Sequence, residues 1–467
     1  MKTTITSLTA LALSTSLLFA QGAGPLNPPG PPADGTYRTL QELWDKLSTV
    51  VASNTALTSD VQALLTTVQT LSTTVADQST LIDNLSQNVI EQTTFLSSLI
   101  GSQGIRINFD TETVVSLGFV SPSDSGKPSL AFSPTTGEPS VAYKWETPFS
   151  AGGTRPNDIG EIRLATRNPS GTWNSTTVVQ RTSEDDFRVP GLAFDSSGTA
   201  HLAFGNHGAA DETTLAVLPA PTLSQITTPA LFHPELKFTP AGKPAPAYRV
   251  PGSGTGPHYG ERNGASWSFE TINSPTAIDQ PVLTFDSFDR PAVAWSTNTS
   301  VLLAEKVLFT PPVGPQIFVF STSTVDSTSS GEALSLNYLP DGSPTLTHVD
   351  EDGRLFFSQR NPDNTWSRAL VDDCPGILES ATGILPSGHV YIAYNCDSGL
   401  YFAVRVNDLW TVTLARSPAG GETPATHLSV ATAPDGLPVM VYQVNNNFPV
   451  VTDIRYSKFV SFRVIRE

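Results

Sequence analysis

Residues 433–442 have the sequence APDGLPVMVY, and six earlier stretches of the chain repeat its form. In each copy a turn residue is followed five places later by a small or modest residue and six places later by an aromatic residue or His. The turn residues are separated by 61, 44, 47, 53, 46 and 48 residues. The seven copies are SPTTGEPSVAY (133–143), DSSGTAHLAF (195–204), TPAGKPAPAY (239–248), DSFDRPAVAW (286–295), LPDGSPTLTH (339–348), LPSGHVYIAY (385–394) and APDGLPVMVY (433–442).

Each copy predicts two apolar strands joined by a turn whose glycine can adopt positive φ. Two more amphipathic strands follow, and the turn between them often ends in Trp, as in NPSGTW at Trp173 and NPDNTW at Trp366. Four strands in a repeat of this length are typical of a propeller blade, which must stack on neighbours to bury its faces. The sequence therefore predicts a mainly β fold, a seven-bladed β-propeller over residues 105–467.

A closed propeller needs one end of the chain to pair with the other. The segment Ile105–Leu117 precedes the first repeat and has the composition of a strand. One or two further strands are expected over Arg455–Ile465. We expect the N-terminal segment to complete the last blade.

Residues 37–101 carry a different period. Counting by sevens from Leu40 gives nine heptads whose a and d positions are apolar, except for Asn54, Gln78 and Gln92. A sustained heptad repeat predicts a long left-handed coiled coil, preceding the propeller as an oligomerisation stalk. A long helix folded against its own chain is the alternative.

The oligomer number of this stalk stays open between dimer and trimer. β-branched residues at a with Leu at d favour two strands. Apolar residues at e and g widen the contact face and favour three chains; they are Val51, Leu65, Leu81 and Phe95.

The N-terminal region predicts export. Residues 1–20 combine Lys2 with an apolar run from Leu8 to Phe19, as in a signal peptide, and residues 21–36 form a Pro/Gly-rich leader expected to be disordered. No Cys lies near the expected cleavage region, which argues against an N-terminal lipid anchor, and we expect no transmembrane segment. The predicted location is secreted or at the cell surface, with the periplasm as a further possibility.

The formal net charge of −17 makes nucleic acid an unfavourable partner. Cys374 and Cys396 flank the two inner strands of the sixth copy, so antiparallel pairing brings them close. A disulfide is the natural interpretation in an oxidising compartment, with two free or buried thiols as the alternative. No cofactor or metal motif is recognisable.

In a propeller, the loops before the innermost strand and after the second strand crowd around one end of the central channel. Here these are the long, polar loops, so a binding site is expected on this loop-rich face. The candidates are Trp145, Arg155, Asp158, Asp186, Arg188, His207, Asp211, His258, Tyr259, Asp350, Asp352 and Asp397.

The segment Phe187-Arg188-Val189-Pro190 resembles the arginine motif of sialidases, and the turns NPSGTW and NPDNTW resemble Asp-boxes. Residues 105–467 are therefore similar to the sialidase-type, Asp-box propellers of secreted bacterial proteins. The resemblance implies that Arg188 grips a substrate carboxylate bidentately.

Three hypotheses about function follow from these observations. The favoured one is a non-enzymatic, multivalent adhesion module whose ligand is a glycan or a surface protein. The second is a sialidase-like glycoside hydrolase with Arg188 in its site, and the third is a structural surface protein without a specific ligand.

Overall fold

The computed structural model describes most of the helical and propeller regions in separate stretches. The described residues are 40–100, 105–117, 127–146, 159–181, 186–187, 189–207, 212–227, 232–250, 256–272, 281–311, 314–327, 332–420, 422–423, 425–447 and 450–464. The predicted signal peptide and the Pro/Gly-rich leader lie outside them. The chain divides into two compact units, residues 1–88 and 89–467.

Helix α1 (Leu40–Ile100) contains 61 residues and covers the predicted heptads. Its side chains are described from residue 42 to residue 79. Nine apolar side chains at a and d positions are each more than half exposed; they are Leu43, Leu47, Val50, Leu57, Val61, Leu64, Val68, Leu71 and Val75. Within the described part of the chain, no helix has the length and apolar character needed to cross a bilayer.

Threonine hydroxyls cover other faces of α1. Eight of them hydrogen-bond to the backbone carbonyl four residues earlier, for example Thr66 Oγ1 to Gln62 O at 3.0 Å. None of the eight occupies an a or d position in the register that starts at Leu40. The heptad stripe is therefore uniformly apolar apart from Asn54 and Gln78 in the described part.

The propeller consists of seven antiparallel sheets. Strand β1 spans Ile105–Ser116. Blade 1 contains β2–β5, at Ser129–Phe132, Pro139–Glu146, Gly160–Arg167 and Trp173–Arg181. Blade 2 contains β6–β10, at Asp186–Phe187, Gly191–Phe194, Ala200–His207, Glu212–Val217 and Thr222–Thr227. Blade 3 contains β11–β14, at Phe232–Phe238, Pro244–Arg249, His258–Asn263 and Ser266–Thr271.

The remaining blades follow the same order. Blade 4 contains β15–β18, at Val282–Phe285, Pro291–Ser296, Val301–Phe309 and Ile317–Asp326. Blade 5 contains β19–β22, at Glu332–Tyr338, Pro344–Val349, Leu355–Arg360 and Trp366–Asp372. Blade 6 contains β23–β26, at Ser380–Ile384, Val390–Cys396, Gly399–Val406 and Leu409–Arg416. Blade 7 contains β27–β29, at Thr426–Thr432, Pro438–Asn447 and Val450–Val464.

Strand β1 is the outermost strand of blade 7, which confirms the predicted closure. It pairs antiparallel with β29, from Ile105 opposite Val464 to Ser116 opposite Asp453. The innermost strands of successive blades contact one another, and β27 contacts β2, so the ring is closed. The end of the chain forms one strand, β29, in agreement with the one or two strands expected over 455–465, and it begins earlier than expected, at Val450.

The repeated turn and the repeated aromatic position account for the blade core. All seven turn residues have positive φ, including the one that is not glycine, Asp289 (φ 64°). The residues six places later are buried to 3% exposure or less; they are Tyr143, Phe204, Tyr248, Trp295, His348, Tyr394 and Tyr442. The preceding small residues are fully buried, so each turn directs a large side chain into the packing between strands.

Candidate functional site

A central channel of about 910 Å³ runs between the innermost strands of the blades. Its wall includes backbone and side chains from all seven blades, because each blade presents its first strand to the axis. Most of these residues are small or apolar. The charged or titratable residues of the wall are Lys127, Glu235, Lys237, Glu379 and His427.

Glu379 and His427 form the most constrained pair in the channel wall. One carboxylate oxygen of Glu379 lies 3.2 Å from His427 Nδ1, and the other accepts a hydrogen bond from the backbone N–H of Leu428 at 2.9 Å. His427 has φ 58°, in the left-handed region that non-glycine residues seldom adopt. The carboxylate therefore holds an irregular backbone turn where the β27–β28 register shifts.

The electrostatics of this pair favour an ionised carboxylate. Burial by itself raises the pKa of Glu379. The hydrogen bond and the charge of His427 lower this pKa by more, and the charge of Lys127 lowers it further, so the pKa of Glu379 lies below its usual range. Lys237 Nζ lies 3.2 Å from Glu235 Oε1 on another part of the wall. The channel thus holds both signs of charge, and its carboxylates are engaged with cations and backbone.

The structure places the predicted site residues in different ways. Arg155, Asp158, Arg188 and Asp211 lie outside the described residues. Asp186 and His207 are described by their backbone, and they are register partners in β6 and β8, as expected for strand ends on one face. The side chains of Trp145, His258, Tyr259, Asp350, Asp352 and Asp397 are described.

His258 and Tyr259 lie in strand β13 rather than in the expected loop. Tyr259 is 2% exposed, and its hydroxyl donates to Glu261 Oε2 at 3.1 Å. The ring of His258 stacks on Tyr248 at 5.2 Å between centroids. Burial raises the pKa of Tyr259 and lowers that of His258, so both are neutral side chains of the blade 3 packing.

Trp145 also belongs to a strand, β3, and packs against the apolar core shared by blades 7 and 1. The Arg163 guanidinium lies 4.2 Å from the centre of its ring. Arg163 Nε contacts Glu161 Oε2 at 2.6 Å. This ladder of side chains on neighbouring strands stabilises the end of blade 1.

Asp350 and Asp352 belong to the turn between β20 and β21. The buried Asp350 accepts backbone N–H bonds from Asp352 and Arg354, both at 3.0 Å, and pairs with Arg354 through its other oxygen at 2.7 Å. Burial raises the pKa of Asp350, but these contacts with Arg354 dominate and lower it. The acidic run is therefore a hydrogen-bonded turn with its own cation.

Arg368, in strand β22, connects this turn to blade 4. Its guanidinium reaches Asp350 Oδ2 at 3.3 Å and Asp326 Oδ2 at 3.1 Å. Asp326 lies 3.7 Å from the fully buried His348. Blades 4 and 5 are thus joined by a buried polar network.

The predicted disulfide is confirmed. Cys374 and Cys396 are bonded, with their Cα atoms 6.1 Å apart. Asp397 follows directly, and its backbone N–H donates to Pro375 O at 3.1 Å. The bond joins the segment before β23 to the end of β24, as the antiparallel pairing requires.

Sequence reasoning did not single out Glu379, His427 or Lys127 as site residues. A usable signal was present, because polar residues such as Glu235 and Lys237 interrupt inner strands that are otherwise apolar. Charged residues in a strand buried on both faces require a partner or a channel. Within the described stretches, no group of three or more His, Cys, Asp or Glu side chains is placed to hold a metal ion.

No protein-family model matches the chain, and no curated protein sequence is significantly similar to it. Similar solved structures include BBS1N in complex with ARL6DN, at 9% identity over 76% of this chain and 98% of that one, with a TM-score of 0.48. The intramolecular trans-sialidase from Ruminococcus gnavus has 11% identity over 72% and 94%, with a TM-score of 0.38. The SapL1 lectin in complex with alpha methyl fucoside has 12% identity over 66% and 99%, with a TM-score of 0.40.

Proposed function

We propose that this chain is an exported adhesion protein that presents several propellers on a coiled-coil stalk and binds a glycan. The observation that carries the proposal is the exposed heptad stripe of α1, with nine Leu and Val side chains more than half exposed. An amphipathic helix with so regular a stripe is stabilised by association with further copies. Each copy brings one propeller, so a weak site becomes multivalent.

The size of the stripe supports association. Burying the exposed part of one Leu or Val stabilises by about 1 kcal/mol, so nine of them contribute on the order of 10 kcal/mol per helix. The many Thr and Ser residues of α1 are poor helix formers, and this gain offsets their cost. The exposed e-position residues Trp44 and Val51 widen the stripe and favour three chains over two.

A pair of substitutions in the full chain tests the association. Leu64→Glu places a charge at a d position, and we expect sedimentation equilibrium to show a shift from oligomer to monomer. Thr66→Glu is the matched control, because it adds the same charge two residues away at an f position and leaves the oligomer intact. A wild-type chain that sediments as a monomer would contradict the stalk.

The ligand class is tested separately. The wild-type oligomer and the Leu64→Glu monomer are applied to a glycan array. We expect the glycans that bind the oligomer to retain the monomer much more weakly. Fluorogenic sialosides and other glycosides are assayed in parallel. Turnover that is abolished by Arg188→Ala would favour the hydrolase, and neither binding nor turnover would favour a structural surface protein.

A further inference from the structure

A groove of about 490 Å³ lies between blades 7 and 1, where β1 closes the ring. Strands β1 and β29 form one part of its wall, and the short turns of the two blades form another. The two turns lie close together, since a Cβ added to Gly137 would lie 3.4 Å from the Pro434 ring. The polar side chains that line the groove include Asp110, Glu112, Glu138, Arg167, Tyr456 and Lys458.

Two ion pairs lie at this groove. Arg167 crosses from blade 1 to β1, with Nε 2.7 Å from Glu112 Oε1 and Nη2 3.5 Å from Oε2. Lys458 Nζ lies 2.5 Å from Asp435 Oδ2. Cross-blade cation pairs recur elsewhere, at Arg360–Glu305 and Lys306–Glu270, so the Arg167 pair stabilises the junction and by itself indicates no ligand.

Tyr456 contributes a hydroxyl group to this groove. The residue is 5% exposed and lines the groove, and its hydroxyl makes no hydrogen bond within the described part of the chain. Several other buried tyrosine hydroxyls are bonded, such as Tyr143 to Ser175 and Tyr442 to Ser457, whereas the buried Tyr248 of blade 3 makes no hydroxyl hydrogen bond among the described residues. The Tyr456 oxygen is accessible from the groove, so it is available to hydrogen-bond a ligand hydroxyl.

The state of the Tyr456 hydroxyl suits a hydroxylated ligand. Burial raises its pKa, so the group is protonated at neutral pH and can both donate and accept. Trp173 packs edge-on against the ring at 5.3 Å and holds it in place. Phe132 and Ala433 give the groove an apolar part against which the C–H face of a ring can pack.

The charges of the groove select against acidic ligands. Four carboxylates face two cations, and the carboxylates of Asp110 and Glu138 make no ion pair among the described residues. An acidic sugar would be repelled by this excess, whereas neutral sugar hydroxyls can donate to the carboxylates. The volume also falls in the range of small-molecule pockets, roughly 300–1,000 Å³.

We propose that the groove between blades 7 and 1 binds a neutral sugar residue, with the Tyr456 hydroxyl and the free carboxylates of Asp110 and Glu138 bonding its hydroxyls. The glycan class rests on the proposed function, and the groove adds the place of binding and the preference for uncharged sugars. The site lies beside the short turns rather than among the long loops.

The test uses the full chain and ligand-observed NMR with galactose, mannose, fucose, N-acetylglucosamine and N-acetylneuraminic acid as probes. We expect one or more neutral sugars to bind and the acidic sugar not to bind. Tyr456→Phe removes only the hydroxyl, and we expect it to weaken binding about 3- to 10-fold. Tyr442→Phe is the matched control, because its hydroxyl is buried against Ser457 away from the groove, and it leaves binding unchanged.

A second variant keeps the proposal testable if Tyr456→Phe fails to fold. Asp110→Asn alters an exposed side chain, keeps its shape, and is expected to weaken sugar binding at an unchanged melting temperature. Binding of N-acetylneuraminic acid alone, no bound neutral sugar, or equal binding by Tyr456→Phe and wild type would overturn the groove proposal. Glycan-array binding that persists with equal strength in Tyr456→Phe would overturn the groove and leave the proposed adhesion function standing.

Discussion

Ser429 Oγ accepts a hydrogen bond from the backbone N–H of Leu130 at 3.2 Å, and this bond joins the innermost strand of the last blade to that of the first. Equivalent side-chain bonds join other neighbours. Ser129 Oγ accepts from Leu192 N at 3.0 Å, Glu235 Oε2 from Leu283 N at 3.1 Å, and Ser335 Oγ from Thr382 N at 3.2 Å. The inner strands are thus linked around the channel as well as packed.

The first prediction concerns this closing bond. Ser429→Ala leaves the Leu130 N–H without its acceptor, and we expect the free energy of unfolding in urea to fall by about 1 kcal/mol. Ser196→Ala, at an exposed position of a blade 2 turn, is the control and should leave it unchanged. Equal midpoints for the two variants would show that the bond adds nothing to closure.

A second prediction concerns the contact between blades 2 and 3. A Cβ at Gly191 would lie 2.4 Å from the backbone oxygen of Pro234, and backbone cannot move aside as a flexible side chain can. We expect Gly191→Ala to destabilise the propeller by about 2–3 kcal/mol in denaturant titration. At Gly242 no atom lies within 4 Å of an added methyl group. Gly242→Ala therefore loses only the stability that an L-residue loses at φ +79°, about 1 kcal/mol. The reverse order of the two effects would contradict this packing.

The third prediction is a pH dependence caused by His348. Burial lowers the pKa of His348 to about 4, although the Asp326 carboxylate acts in the opposite direction. The unfolded state, with a His pKa near 6.5, therefore takes up a proton first as the pH falls. The stability associated with neutral His348 is complete above about pH 6.5 and is lost as the pH falls towards 4.

The measurement compares wild type with His348→Phe, since Phe stands at the equivalent position of blade 2. The variant loses the hydrogen bond to Ser358 Oγ at 3.1 Å. This loss lowers its free energy of unfolding by the same amount at every pH. Between pH 7 and pH 4, wild type should lose on the order of 1–3 kcal/mol more than the variant. Parallel pH profiles for the two proteins would refute the assignment.

The fourth prediction concerns the disulfide. Cys374 and Cys396 are 22 residues apart in sequence, and breaking their bond frees that loop in the unfolded state. We expect the double Ser variant to lose about 2–4 kcal/mol of stability. Mass spectrometry after alkylation checks that wild type carries no free thiol. A melting temperature that is the same with and without reductant would contradict a stabilising role.

Local sequence patterns determined the blade count. Gly and Asp at the seven turns allow positive φ, and the aromatic residue six places later must be buried, so Gly388 and Tyr394 suffice to place one blade. The same reasoning placed β1 beside β29 and Cys374 beside Cys396, because antiparallel pairing makes neighbours of strand ends. These features depend on residues close in sequence or on the need to close a ring.

The candidate sites depended on the tertiary structure. His258 and Tyr259 follow a polar stretch, yet a strand begins at His258 and buries Tyr259, because packing against blade 4 decides which polar segments are loops. Glu379 pairs with His427 because blades 6 and 7 place the two residues side by side in the wall of the central channel. Glu112 pairs with Arg167, and both line one groove with Tyr456, because β1 pairs with β29 from the other end of the chain.

The sequence by itself determined the repeat, the turn geometry, the heptad stripe and the disulfide, since each rests on short-range preferences or on a fixed period. The tertiary structure alone decided which charged side chains share a channel and that Tyr456 lines the groove between blades 7 and 1. Those relations join residues of different blades, 48 positions apart for Glu379 and His427 and 55 for Glu112 and Arg167, and the packing of the blades sets their distances.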